Sequence, residues 1–119
     1  MNRSAATFVC VLIAGAAVLA QTASTTSQRI PQFENAHVTV WKSIILPKQP
    51  LTMHRHEFGR TIVALRGGVL TIVQKTGEKK LMNWETGKAY WLDADPPGTQ
   101  HADVNEGPEP IEVMVVQMK

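Results

Sequence analysis

From Val38 to the C-terminus the sequence breaks into short apolar stretches, each closed by turn residues. No segment after residue 30 carries a helical repeat of useful length. The stretches fall at 37–46, 51–56, 61–65, 69–74, 80–84, 89–92, 99–104 and 111–118. Pro47 and Pro50, the Gly67-Gly68 pair, Gly77, Gly87, Gly98 and Gly107-Pro108 punctuate them. Val, Ile, Thr, Trp and Tyr dominate the stretches, as half-buried pleated surfaces prefer. About eight strands spaced roughly 8–12 residues apart make an all-β sandwich or barrel of one domain.

The N-terminus follows a different logic. Arg3 precedes an apolar run from Ala5 to Ala20, and Val18-Leu19-Ala20 puts small residues at the positions a signal peptidase reads. Residues 1–20 are therefore expected to be a signal peptide, with an alternative cut after Ala23, and the protein to be exported, periplasmic or secreted. A retained membrane anchor is the competing reading, but Gly15 interrupts the run and the cleavage pattern ends it. Residues 21–34, rich in Ser, Thr and Gln, are expected to form a flexible leader before a domain spanning 35–119.

Cys10 is the only cysteine and lies inside the apolar run. The mature chain, about 99 residues, must then hold together by core packing alone. Without Arg3, eleven Lys and Arg face ten Asp and Glu. That balance argues against nucleic acid, or a membrane surface after cleavage, as partner. A small-molecule ligand fits better, and the apolar last stretch offers a seam for a homodimer.

His54 and His56 stand two apart, so on a strand their imidazoles share one face. Such a pair suits a borderline metal such as Fe, Mn, Ni, Cu or Zn. The segment His54-Arg55-His56, then Arg60 and Gly67, and the downstream segment Gly87, Pro96, Gly98, His101 and Asn105, together resemble the two motifs of the cupin family. The resemblance covers about residues 35–118. It implies a double-stranded β-helix, a jelly-roll barrel, with His54, His56 and His101 converging inside it on one metal ion.

The family's motif-one glutamate has no counterpart, because Arg60 occupies its place. Glu57 is a candidate fourth ligand only if a bulge turns it inward, since an odd step along a strand faces the other way. Two outcomes stay open: three histidines hold the metal and Arg60 forks a substrate carboxylate, or Arg60 displaces the metal and leaves a metal-free pocket. Trp41, Trp84, Tyr90 and Trp91 can line a pocket or the core, and Tyr90 joins Arg60 as a candidate ligand-binding residue. Asp93 and Asp95, beside Pro96-Pro97, look like turn residues that can also supply an acid. The expected function is a cupin-like binding protein for a divalent metal, a small anion, or both. The alternative is a metal-dependent dioxygenase, isomerase or lyase acting on a small carboxylate.

Overall fold

The computed structural model describes residues 25–119, so the expected signal peptide lies outside the described residues. Among those residues nine strands form: β1 (Gln28–Glu34), β2 (Val38–Ile45), β3 (Leu51–His54), β4 (Arg60–Arg66), β5 (Gly68–Gln74), β6 (Lys79–Trp84), β7 (Ala89–Leu92), β8 (His101–Asn105) and β9 (Ile111–Met118). They build two sheets, ordered β1-β2-β9-β4-β7 and β3-β8-β5-β6, with antiparallel neighbours throughout. This is the expected all-β jelly-roll barrel.

The period of two in the sequence decides which side chains enter the barrel. In β9, Ile111, Val113 and Val115 are buried and the residues between them are half-exposed. In β4 the inward set is Arg60, Ile62 and Ala64. Arg60 is thus carried into the interior by the same parity that buries its two apolar neighbours. These residues pack with Ile45, Leu51, Leu70 and Trp84 into the core.

Two motif residues owe their identity to backbone approach. A β-carbon at Gly67 would stand 2.1 Å from the carbonyl oxygen of Trp84, so only glycine lets β4 pass so close to the end of β6. Gly98 closes the turn before β8 at φ 77°, in the left-handed region. Asn105, expected to shape a turn, does more. Its Nδ2 donates to the carbonyls of Ile45 at 2.9 Å and Glu109 at 2.7 Å, and its Oδ1 accepts from the Gly107 N–H at 3.0 Å. The side chain is buried and staples the end of β8 to the end of β2.

One expectation needs correction and another is narrowed. The flexible leader cannot extend to residue 34, because Gln28–Glu34 pair with β2 as an edge strand. Ser27 adds an anchor, its Oγ accepting from the Leu46 N–H at 2.9 Å. The strand escapes a sequence reading because its outward side chains are polar or exposed and show no apolar alternation. The last strand, β9, cannot extend a sheet into a second copy, because it lies between β2 and β4 with both edges paired.

A chain beginning at Gln32 loses half of β1 and should melt several degrees below one beginning at Thr25; equal midpoints would show that β1 adds nothing. Asn105→Ala removes the three hydrogen bonds of a buried side chain. It should cost about 2–4 kcal/mol and lower the thermal midpoint by more than about 8 °C.

Candidate metal centre

The three histidines come from two neighbouring strands of the smaller sheet. His54 ends β3 and stands directly opposite His101, the first residue of β8. Their ring centroids are 4.5 Å apart. His56 lies just past the end of β3, yet its ring is 4.9 Å from that of His54 and 5.6 Å from that of His101. One ligand atom from each of the three can be chosen so that all lie within 4.8 Å of one another.

Each ring has its Nδ1 turned to an acceptor. His54 Nδ1–H donates to the Thr52 carbonyl at 2.6 Å. His56 Nδ1–H donates to Gln117 Oε1 at 2.9 Å. Nδ1 of His101 faces Asp95 Oδ2 at 3.3 Å. For His54 and His56 the hydrogen bond at Nδ1 places the proton there and leaves the lone pair on Nε2; His101 has a carboxylate near each nitrogen, Asp95 at Nδ1 and Asp103 at 3.7 Å from Nε2. Metal-binding histidines are oriented by such outer partners. The Nε2 of His54 is buried and has no hydrogen-bond partner, an orphan acceptor that a metal ion would satisfy. The donor set fits a divalent transition metal.

Asp95 organises one side of this group. Its Oδ2 accepts from the His56 N–H at 2.7 Å, and its own N–H donates to the His56 carbonyl at 2.8 Å. Its Oδ1 lies 3.7 Å from a guanidinium nitrogen of Arg60. Arg60 also donates to the Asp93 carbonyl at 3.1 Å. At 5 % exposure Arg60 is fully interior. Burial lowers its pKa from the ordinary arginine value and Asp95 works against that shift, so the group stays cationic. A bare cation beside a dication would be costly; the Asp95 carboxylate between Arg60 and His101 offsets that repulsion.

A cavity of about 30 Å3 opens among Arg29, Trp41, His56, Arg60, Trp84, His101 and Asp103, room for one or two water-sized groups. Arg29 reaches it from β1, with its guanidinium 5.5 Å from the Trp41 ring centroid, a cation–π distance. Trp41 in turn lies parallel to His56, centroids 6.1 Å apart.

Comparison with known proteins fixes the architecture. No family model matches the sequence, and no curated protein does. Solved structures do match in shape. A cupin domain from Bordetella pertussis Tohama I superposes with a TM-score of 0.69 at 19 % identity, over 79 % of this chain and 94 % of that one. A double-stranded β-helix protein from Klebsiella pneumoniae gives 0.60 at 22 %, over 82 % and 81 %. A cupin family protein from Methanocaldococcus jannaschii gives 0.61 at 13 %, over 80 % and 82 %. The domain has the cupin fold.

Within this cupin barrel the candidate residues divide. His54, His56 and His101 are brought together, and Arg60 points inward beside them. Glu57 is not: its side chain is 70 % exposed and pairs with Arg55 at 3.2 Å, because no bulge reverses the chain after His56. Tyr90 also stands apart. Its hydroxyl accepts from the Glu85 N–H at 2.9 Å and its ring packs against the core rather than the cavity. Trp91 is exposed, while Trp41 and Trp84 do line the cavity. His37 is exposed at the start of β2.

Four contributors were not singled out from sequence for these roles: Arg29, Asp95 as an orienting acid, Asp103 and Gln117. Two of them had a readable signal. Asp103 follows His101 by two on a strand, and Gln117 continues the inward parity of Ile111, Val113 and Val115.

Burial is the main cause that lowers the pKa of both His54 and His56, the latter to about 4. For His56 the Gln117 hydrogen bond opposes the shift and the Arg60 charge reinforces it. The folded protein therefore favours neutral imidazole, whereas the unfolded chain protonates His56 near the usual value of about 6.5. The resulting stabilisation is present in full above about pH 6.5 and is lost as pH falls through about 4. The thermal midpoint of chelator-treated protein should fall across that window, and His56→Gln should flatten the slope between about pH 6.5 and 5. An unchanged slope would show that His56 is not held neutral.

Proposed function

We propose that this chain is an exported cupin that holds one divalent metal ion on His54, His56 and His101 and a small anion beside it. The observation that carries the metal reading is the convergence of the three rings: one ligand atom from each of His54, His56 and His101 lies within 4.8 Å of the others, and for His54 and His56 a hydrogen bond at Nδ1 leaves the Nε2 lone pair for an ion. The unpartnered, buried Nε2 of His54 supports it further. Neutral nitrogen donors of this kind suit Fe, Mn, Ni, Cu or Zn. A bound metal would act as a Lewis acid on an oxygen-bearing ligand.

The anion reading rests on charge and on one unused donor. Arg29 and Arg60 place two cations at the cavity, and Asp95 and Asp103 two carboxylates. A dication would leave the pocket with excess positive charge. The indole N–H of Trp84, a residue lining the cavity, is buried and has no acceptor. The space available suits a ligand of formate or bicarbonate size rather than a sugar or an aromatic acid. Glu57 and Tyr90 lie off the cavity, and the carboxylates beside it, Asp95 and Asp103, are engaged with Arg60 and the histidines, an arrangement that favours binding over proton transfer. Export is supported by the charged start, the apolar run, and Val18 and Ala20 at the two positions a signal peptidase reads before Gln21.

Elemental analysis of the mature protein, purified without an affinity tag, should give one transition-metal ion per chain. His101→Ala should reduce this to trace amounts while the barrel still unfolds cooperatively. Trace metal in the parent protein, or unchanged stoichiometry in the variant, would contradict the proposal.

A further inference from the structure

Asp103 lies on β8 two residues beyond His101, on the same inward face. It stands opposite Leu51 of β3 and Ile72 of β5, so it is held from both sides. Its carboxylate faces Nε2 of two of the three histidines. Oδ2 is 3.6 Å from Nε2 of His54, and Oδ1 is 3.7 Å from Nε2 of His101. The side chain is 14 % exposed and lines the cavity.

These contacts are not the usual orienting kind. His54 and His101 already have acceptors at Nδ1, namely Thr52 and Asp95. Asp103 instead meets the opposite side of each ring, where His54, protonated at Nδ1, presents a lone pair. A carboxylate oxygen facing a nitrogen lone pair is repulsive unless a cation stands between them. Two ligand atoms each about 2.1 Å from one ion lie about 3.0–3.4 Å apart. The observed 3.6 and 3.7 Å run to different oxygens of the carboxylate and exceed that by a few tenths of an ångström, so Asp103 would close on an ion through a small side-chain shift.

The position that would supply an acid from the first motif holds Arg60, whose guanidinium is engaged by Asp93 and Asp95. The Asp95 carboxylate on that side is engaged by Arg60 and by the His56 N–H. We propose that Asp103 is the anionic ligand of the metal centre, completing a set of three histidines and one aspartate with the carboxylate supplied by the second motif's strand. This rests on the metal-centre reading above.

Calorimetric titration of the chelator-treated mature protein with Zn2+ tests the inference, with Asp103→Asn as the variant. The parent should bind one Zn2+ per chain and Asp103→Asn should bind at least tenfold more weakly. Failure of the parent to bind would overturn both the metal centre and its fourth ligand. Binding by the parent with less than a tenfold loss in Asp103→Asn would overturn the role of Asp103 alone. A second measurement does not depend on the variant folding. Mature protein labelled with 13C-aspartate and loaded with Mn2+ should show, by electron–nuclear double resonance, the strong 13C coupling of a directly bound carboxylate. Its absence in the loaded parent would overturn the ligand assignment. Where Asp103→Asn folds, the coupling should vanish; its persistence would assign it to another aspartate and likewise overturn the inference.

Discussion

Asp95 sits where the loop before β8 meets the segment after β3. One oxygen takes the His56 N–H and faces Nδ1 of His101, and the other lies toward Arg60. The rest of the site depends on this carboxylate. It fixes the main chain of His56 after the strand has ended, faces Nδ1 of His101, and compensates an arginine that strand parity forces into the barrel. Arg55 closes the loop from outside, donating to the Pro96 and Asp95 carbonyls at 3.4 Å. A charged residue at an inward position is tolerated because its counter-charge arrives from a loop that the histidines themselves require.

The same arrangement explains why Arg60 and a metal ion are compatible. Interior charges are sustained when paired and hydrogen-bonded. Arg60 has a carbonyl and a carboxylate; a dication bound there would have three histidine nitrogens and the proposed Asp103 carboxylate. Arg60 and Asp95 then form a neutral unit beside the metal rather than a competitor for its place. Arg29, brought in by β1, adds a cation at the mouth of the cavity. The N-terminal strand therefore contributes a charged side chain to the cavity as well as an edge to the sheet.

Much of this was legible in the sequence, for reasons that lie in particular residues. The spacing of glycines and prolines marked eight of the nine strands. The His-x-His pair and the Pro-x-Gly turn before His101 placed three imidazoles together. The inward course of Arg60 is written in its parity with Ile62 and Ala64. Less was legible where local pattern and role diverge. β1 carries Pro31 and polar side chains because it is an edge strand, so no periodicity announced it. Asp95 is flanked by turn residues, and only the tertiary meeting of two loops makes it an orienting acid. Gln117 acts on His56 across 61 positions of sequence, a distance no local motif spans.

Everything proposed for the site requires that His54, His56 and His101 present their Nε2 atoms to one metal ion. Crystals of the metal-loaded mature protein, measured at the absorption edge of that metal, would reveal where the ion binds. A single anomalous peak should stand inside the barrel, about 2.0–2.2 Å from Nε2 of each of the three histidines. A peak bound through the Nδ1 atoms, or located on the surface with the three rings unligated, would rule the metal centre out.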